Sequence, residues 1–163
     1  MKIEIDSFVI IIENRIFLEV QKYLQRGNED ESGGILVGKK ENDNDIYHIV
    51  GLSFPNECDK STHCSFVRNA QEAQKIIEKT WQESGGYVNY IGEWHTHPEL
   101  FPSPSRTDKK TYRQISKDKS SLFLVSINII FGNKFDCYIC GYKNGKMIFE
   151  RTLNYEEILY PQS

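Results

Sequence analysis

Strand-like and helix-like segments alternate along this chain, and their order constrains the fold more than any other feature of the sequence. Residues 2–5 alternate between polar and apolar, and Phe8 to Ile12 is continuously apolar, which predicts one or two strands buried on at least one face. Ile16, Phe17, Val20, Tyr23 and Leu24 recur at helical spacing within 15–26, with Asn14 as the expected cap and Gly27–Asn28 as the stop. Residues 33–40 and 46–54 read as two strands joined by Glu41-Asn42-Asp43-Asn44-Asp45, a hairpin. A polar loop over 55–66 precedes a second amphipathic helix marked by Ala70, Ala73, Ile76, Ile77 and Trp81, which Ser84-Gly85-Gly86 ends. Residues 87–94 suit a strand and 107–117 a short helix. Strands at 122–130, 135–142 and 147–153 follow, the last two joined by Asn144-Gly145, the strongest two-residue hairpin signal. Local antiparallel pairs mixed with helical crossovers predict an α/β fold, with a central mixed sheet flanked by helices.

A chain of 163 residues, 39% hydrophobic and 26% charged, has the composition of one globular core, so a single domain is expected over 1–163. A net charge of −3 offers no general attraction to phosphate backbones, which argues against nucleic acid as a partner. The longest apolar run, Phe8 to Ile12, is far short of the roughly 20 residues that cross a bilayer, and no basic stretch leads into an apolar leader. The expectation is a soluble cytoplasmic protein without a membrane partner. Cys58, Cys64, Cys137 and Cys140 are too few for a disulfide scaffold. Cys137-Tyr138-Ile139-Cys140 could join Cys58 and Cys64 in a second, structural zinc site. A strand there would point Cys137 and Cys140 to opposite faces, which favours buried thiols.

Two of the four histidines stand two apart in Glu93-Trp94-His95-Thr96-His97-Pro98. Residues two apart in a strand share a face, so both imidazoles can address one point, although such a pair alone is also compatible with surface or packing histidines. Asp108, behind a loop stiffened by Pro98, Pro102 and Pro104, supplies a carboxylate that can fold back over the pair. Two imidazoles and one carboxylate leave a tetrahedral zinc with an open position, the arrangement of a catalytic site. Trp94 reads as packing. Zincins need His-Glu-x-x-His on a helix, which does not occur, and zinc deaminases need His-x-Glu with Pro-Cys-x-x-Cys, whereas this chain has His95-Thr96-His97 and Asp136 ahead of Cys137.

The spacing from His95 and His97 to Ser105 and Asp108 resembles the JAMM signature of the MPN-plus or JAB-domain zinc metallo-isopeptidases. Glu31-Ser32-Gly33-Gly34-Ile35-Leu36-Val37-Gly38 resembles its upstream half, a glutamate ahead of a glycine-glycine strand. The resemblance runs from Glu31 to about Ile130 and implies a JAB/MPN fold with a cytidine-deaminase-like layout. It further implies His95, His97 and Asp108 as ligands of one zinc per chain, Glu31 as general base and later proton donor to the leaving amine, and Ser105 as donor to the oxyanion. Without the glycines, Glu31 would be one member of a solvated acidic run with Glu29 and Asp30. Gly33 and Gly34 are read as permitting close backbone approach beside the metal.

The resemblance implies hydrolysis of the bond after the C-terminal tail of a ubiquitin-like protein. The string from Gly92 to Ser105 is most similar to small prokaryotic JAB proteins that accompany activating-enzyme and conjugating-enzyme homologues, including those of antiphage CBASS systems, where such a protein acts as a deconjugase. Segments 55–66 and 109–121 flank the motif and are the expected specificity elements. Two alternatives stay open: a maturation endopeptidase for a ubiquitin-like or sulfur-carrier precursor, and a non-catalytic MPN binding module.

Overall fold

The computed structural model describes residues 1–41, 44–119 and 121–159. Its strands are β1 (Lys2–Ile5), β2 (Phe8–Ile12), β3 (Gly33–Lys40), β4 (Ile46–Leu52), β5 (Lys60–Thr62), β6 (Ser65–Val67), β7 (Asn89–Thr96), β8 (Ser126–Phe131), β9 (Cys137–Lys143) and β10 (Lys146–Leu153). Its helices are α1 (Asn14–Val20), α2 (Ala70–Glu83), α3 (Arg106–Ile115) and α4 (Tyr155–Leu159). Eight strands form one sheet in the order β1-β2-β4-β3-β7-β8-β9-β10, while β5 and β6 pair separately. The β2–β4 and β7–β8 pairs are parallel and the other pairs of the large sheet antiparallel, so the sheet is mixed, as the order of segments predicts.

The two faces carry different layers. On one, α1 buries Ile16, Phe17 and Val20 against Ile10, Ile12, Leu36, Trp94, Ile129 and Phe131 in the main core. Each of those three helical side chains contributes roughly 1.5–3 kcal/mol through burial. The sheet curls around this core until its two ends approach: the ring centroids of Phe8 in β2 and Phe149 in β10 are 5.0 Å apart, and Arg151 Nη1 of β10 donates to the Glu4 carbonyl of β1 at 3.2 Å. On the other face, α2 covers Ile35 and Val37 through Ala73, Ile76 and Ile77. There α3 lays Tyr112 over Ile130, Tyr138, Cys140 and Tyr142. The space between α2 and α3, over β3 and β7, is left for the site.

Local departures from the expectations have physical reasons. Asn14 is the first helical residue, not the cap: Glu13 takes the cap position without a side-chain bond, and Asn14 Oδ1 accepts from the Met1 ammonium at 3.0 Å. The helix expected over 15–26 ends at Val20 and tightens into a 3₁₀ turn over Gln21–Tyr23, which lets Leu24 turn back into the core. The stretch 55–66 is not irregular throughout, since most of the hairpin of β5 and β6 lies within it. The strand expected from residue 122 begins at Ser126, with Leu122 and Leu124 exposed. Asn42 and Asp43, in the turn expected between β3 and β4, lie outside the described residues. The Asn144-Gly145 turn is present, with φ of 51° and 78°, the doubly left-handed backbone that matches strand twist. The Asn144 N–H donates to the Ser116 carbonyl and the Gly145 N–H to Ser116 Oγ, each at 3.0 Å, which ties the C-terminus of α3 to this turn. Cys137 faces the α1 core and Cys140 the α3 side, so the two thiols do occupy opposite faces.

Candidate metal centre

The register between β3 and β7 brings the two halves of the motif together. Gly33 lies opposite His95, and the ladder continues past the strand ends: the Thr96 N–H donates to the Ser32 carbonyl at 2.8 Å, and Thr96 Oγ1 accepts from the Ser32 N–H at 2.9 Å. Glu31 is thereby set beside His97 on the face that carries His95, with Glu31 Oε1 3.8 Å from His97 Nε2. Beyond the end of β7, the His97 N–H still donates to the Phe131 carbonyl at 2.9 Å, which keeps the strand's alternation through His97. Both imidazoles therefore point the same way, their Nε2 atoms 3.1 Å apart.

Asp108 comes from the first turn of α3. Ser105 Oγ accepts from the Asp108 N–H at 3.1 Å and Asp108 Oδ2 accepts from the Ser105 N–H at 2.7 Å, a reciprocal capping box. The cap fixes the carboxylate over the histidines, with Oδ1 3.6 Å from His95 Nε2 and Oδ2 3.6 Å from His97 Nε2. Ligand atoms of His95, His97 and Asp108 all lie within 4.8 Å of one another, the only such group of metal-binding side chains among the described residues. Two imidazole nitrogens and a carboxylate oxygen at this separation suit a divalent ion of the zinc type and leave one side of the cluster facing a cavity.

Burial and charge act on these groups together. Burial pushes the Glu31 carboxyl above its usual range, against the opposing pull of His95 and His97. Burial would also raise Asp108, but hydrogen bonding to His95, His97 and Ser105 overrides it and holds this carboxyl well below the usual range. For His97, burial works against the cation, and the neighbouring Asp108, Glu31 and Glu99 outweigh it, so the imidazole is shifted upward. Carboxylates thus surround the imidazoles with the negative potential that a bound cation would neutralise.

The cavity beside the cluster measures about 720 Å³. Its floor is β7 with Glu93, one wall is α3 through Thr111, Tyr112 and Ile115, and the other is the hairpin of β5 and β6. The sequence predicts a loop for this second wall, because runs of three residues around His63 and Cys64 carry too little periodicity to register as strands. The hairpin is held down by a Glu31 N–H bond to the Thr62 carbonyl at 2.9 Å and by Gln25 Nε2 donating to the His63 carbonyl at 2.7 Å. The Phe66 ring lies over Gly33, where a Cβ would stand 2.6 Å from Phe66 Cδ1. A Cβ on Gly34 would run into the Ser53 carbonyl oxygen, so both glycines also make room for neighbouring protein groups, Phe66 and Ser53. Arg68 Nε bonds Glu93 Oε1 at 2.8 Å along the same wall, and Tyr112 underlies His95 with ring centroids 6.5 Å apart. The sequence reading anticipated none of these contacts. Trp94 is packing, 1% exposed, with Nε1 donating to the Ser53 carbonyl at 2.9 Å. All four cysteines are free, Cys58 and Cys64 exposed and Cys137 and Cys140 buried, and they form no metal cluster among the described residues.

Residues 13–147 match the family described as prokaryotic homologs of the JAB domain. A protein of Escherichia coli named CD-NTase/cGAS isopeptidase is 32% identical over 67% of this chain and 69% of its own length. A protein of Vibrio cholerae with the same name is 32% identical over 76% of this chain and 79% of its own. A protein of Sinorhizobium fredii named probable metalloprotease is 29% identical over 66% of this chain and 65% of its own. In fold the chain is similar to the solution structure of protein DSY2949 from Desulfitobacterium hafniense, with a TM-score of 0.60 at 18% identity over 87% of this chain and 89% of that one. The family match, the identity to these relatives and the mixed sheet agree: this chain belongs to the prokaryotic JAB-domain family, a class of metalloproteases.

Proposed function

We propose that this protein is a zinc-dependent isopeptidase that hydrolyses the bond after the C-terminal tail of a ubiquitin-like protein, reversing a bacterial conjugation reaction of the antiphage CBASS type in the cytoplasm. The observation that carries the reading is the convergence of His95, His97, Asp108 and Glu31 at the edge of one cavity. Relatives named CD-NTase/cGAS isopeptidase support the conjugated substrate and the defence setting. Free thiols suit a reducing compartment, and no described helix is long and apolar enough to cross a membrane.

In this reading His95, His97 and Asp108 would hold the ion, and zinc in such a three-ligand site would supply Lewis acidity and a water whose pKa is lowered to about 7. Glu31 takes the proton of the attacking water at a carboxylate oxygen and later returns it to the leaving nitrogen. Its raised affinity for protons suits that shuttle, because a base poised nearer neutrality both accepts and releases. Ser105 Oγ already accepts from the Asp108 N–H, which leaves its own hydroxyl proton for the oxygen that gains charge as the carbonyl is attacked.

The substrate tail enters extended, between α3 and the hairpin, with the rim of β6 offering backbone groups for strand pairing. Operon-encoded activating and conjugating enzymes are the proposed functional partners. The test is cleavage of a lysine-linked conjugate of a cognate ubiquitin-like protein, set beside a linear precursor of the same protein, with the Glu31→Gln variant as control. Preference for the lysine-linked bond supports deconjugation. Preference for the linear bond makes the protein a maturation endopeptidase, and failure on both, with no zinc retained, makes it a binding module.

A further inference from the structure

We propose that Glu99 is a positioning residue for the metal centre, its carboxylate lying close enough to His97 Nδ1 to accept its N–H and so fix which nitrogen of that imidazole faces the ion. The inference rests on the reading of His97 as a ligand and adds a residue outside the five motif positions. His97 Nε2 faces the cluster, 3.6 Å from Asp108 and 3.8 Å from Glu31, whereas Nδ1 points away and lies 3.4 Å from Glu99 Oε2. A neutral imidazole carries one proton, so an acceptor at Nδ1 leaves the Nε2 lone pair available to a metal.

The backbone around Glu99 is held, and that gives the contact its geometry. The Glu99 carbonyl accepts from the Asn133 N–H at 3.0 Å, and Asn133 Nδ2 donates to the Pro98 carbonyl at 2.5 Å. The turn that makes these bonds approaches through Gly132, where a Cβ would stand 2.6 Å from the Leu100 carbonyl and 2.7 Å from that of Glu99. Together with the His97 N–H bond to Phe131, these contacts clamp residues 97–99 to the end of β8. The Glu99 side chain itself is 59% exposed and packs into no core, so a substitution there changes the His97 partner without opening a cavity.

The test is zinc affinity of the full chain, measured by chelator competition on wild type, Glu99→Ala, Glu99→Gln and His97→Ala, with thermal melts to confirm folding. Loss of an outer carboxylate partner of a metal-bound histidine typically weakens metal binding about 10–100-fold, so Glu99→Ala should fall in that range. Glu99→Gln, which keeps a carbonyl acceptor for Nδ1–H, should recover most of the affinity. If Glu99→Ala binds as wild type while His97→Ala does not bind, the positioning role is overturned and the metal centre stands. Equal weakening in Glu99→Gln and Glu99→Ala would reduce the effect to charge and overturn the hydrogen-bonded orientation. Undiminished binding by His97→Ala overturns both.

Discussion

Glu31 and His97 face each other across the seam between β3 and β7, Oε1 3.8 Å from Nε2, although 66 positions separate them in the sequence. Neither residue lies within its strand; both sit just past the end of a ladder whose register is fixed further in, at Gly33 and His95. The proposed base is therefore placed by backbone pairing and not by its own side-chain contacts.

Glu31→Gln should consequently keep the fold and the metal while losing turnover. General base catalysis is worth about 10²–10⁴-fold, and a loss of that order with near-stoichiometric zinc by metal analysis is expected. Near-normal turnover in this variant would remove Glu31 from the mechanism.

Metal removal should abolish hydrolysis, and zinc should restore it. Asp108→Asn tests the same centre from α3: it should lose most of the metal, while the helix keeps the Ser105 Oγ bond to the backbone of residue 108. Circular dichroism should stay close to wild type, since even a full cap contributes only about 1 kcal/mol.

Gly33→Ala should lift the hairpin wall. The added methyl meets the Phe66 ring and the Trp94 carbonyl, and overpacking of this kind costs about 1–3 kcal/mol. Because Phe66 lines the cavity and holds no ion, zinc content should be retained, and kcat/KM should fall mainly through KM. Zinc loss in step with activity would show instead that the glycine serves the ion.

Thiol chemistry should divide the cysteines. Burial pushes Cys140 up to about 12 and also raises Cys137, so neither forms thiolate near neutrality. At pH 8 a disulfide reagent should label the exposed Cys58 and Cys64 in the native protein and reach Cys137 and Cys140 only on unfolding, which a mass-resolved time course would read.

Acid should loosen α4 before the rest. Glu157 Oε2 accepts from the Asn154 N–H at 2.9 Å, and Arg151 Nη2 lies 3.0 Å from Oε1; the backbone bond first and the guanidinium next hold this carboxyl below its usual value. A depressed carboxyl stabilises the fold above its unfolded pKa, about 4.3, and the contribution disappears as pH falls through the lower folded value. The Tm of Glu157→Gln should lie below that of wild type at pH 6, and the gap should close below about pH 4. A gap that persists under acid would assign the effect to something other than ionisation.

Much of this was legible in the residues. The alternation in β1, the apolar run of β2, the amphipathic spacing of α2 and the Asn144-Gly145 turn are local signals, and each of these elements formed where its own sequence directs. Strand periodicity puts His95 and His97 on one face, but on its own it does not distinguish ligands from packing histidines; their assignment with Asp108 and Glu31 rests on the resemblance to the JAMM signature. What remained hidden depends on distance in sequence. No local pattern announces that Phe66 will lie over Gly33, that Arg68 will pair with Glu93 or that Tyr112 will underlie His95, since each contact is made by the packing of separate elements. Asn14 shows the converse: its favourable capping chemistry was outcompeted by the Met1 ammonium, a partner that only the folded chain supplies.

Asp108 cannot move for one purpose without moving for the other. The same carboxylate closes the first turn of α3 and leans on both imidazoles, while the far end of that helix is moored to the Asn144-Gly145 bend through Ser116. The buried Ser116 is thus a second anchor of the helix that carries a proposed ligand, and its loss should be felt at the cluster as altered metal retention.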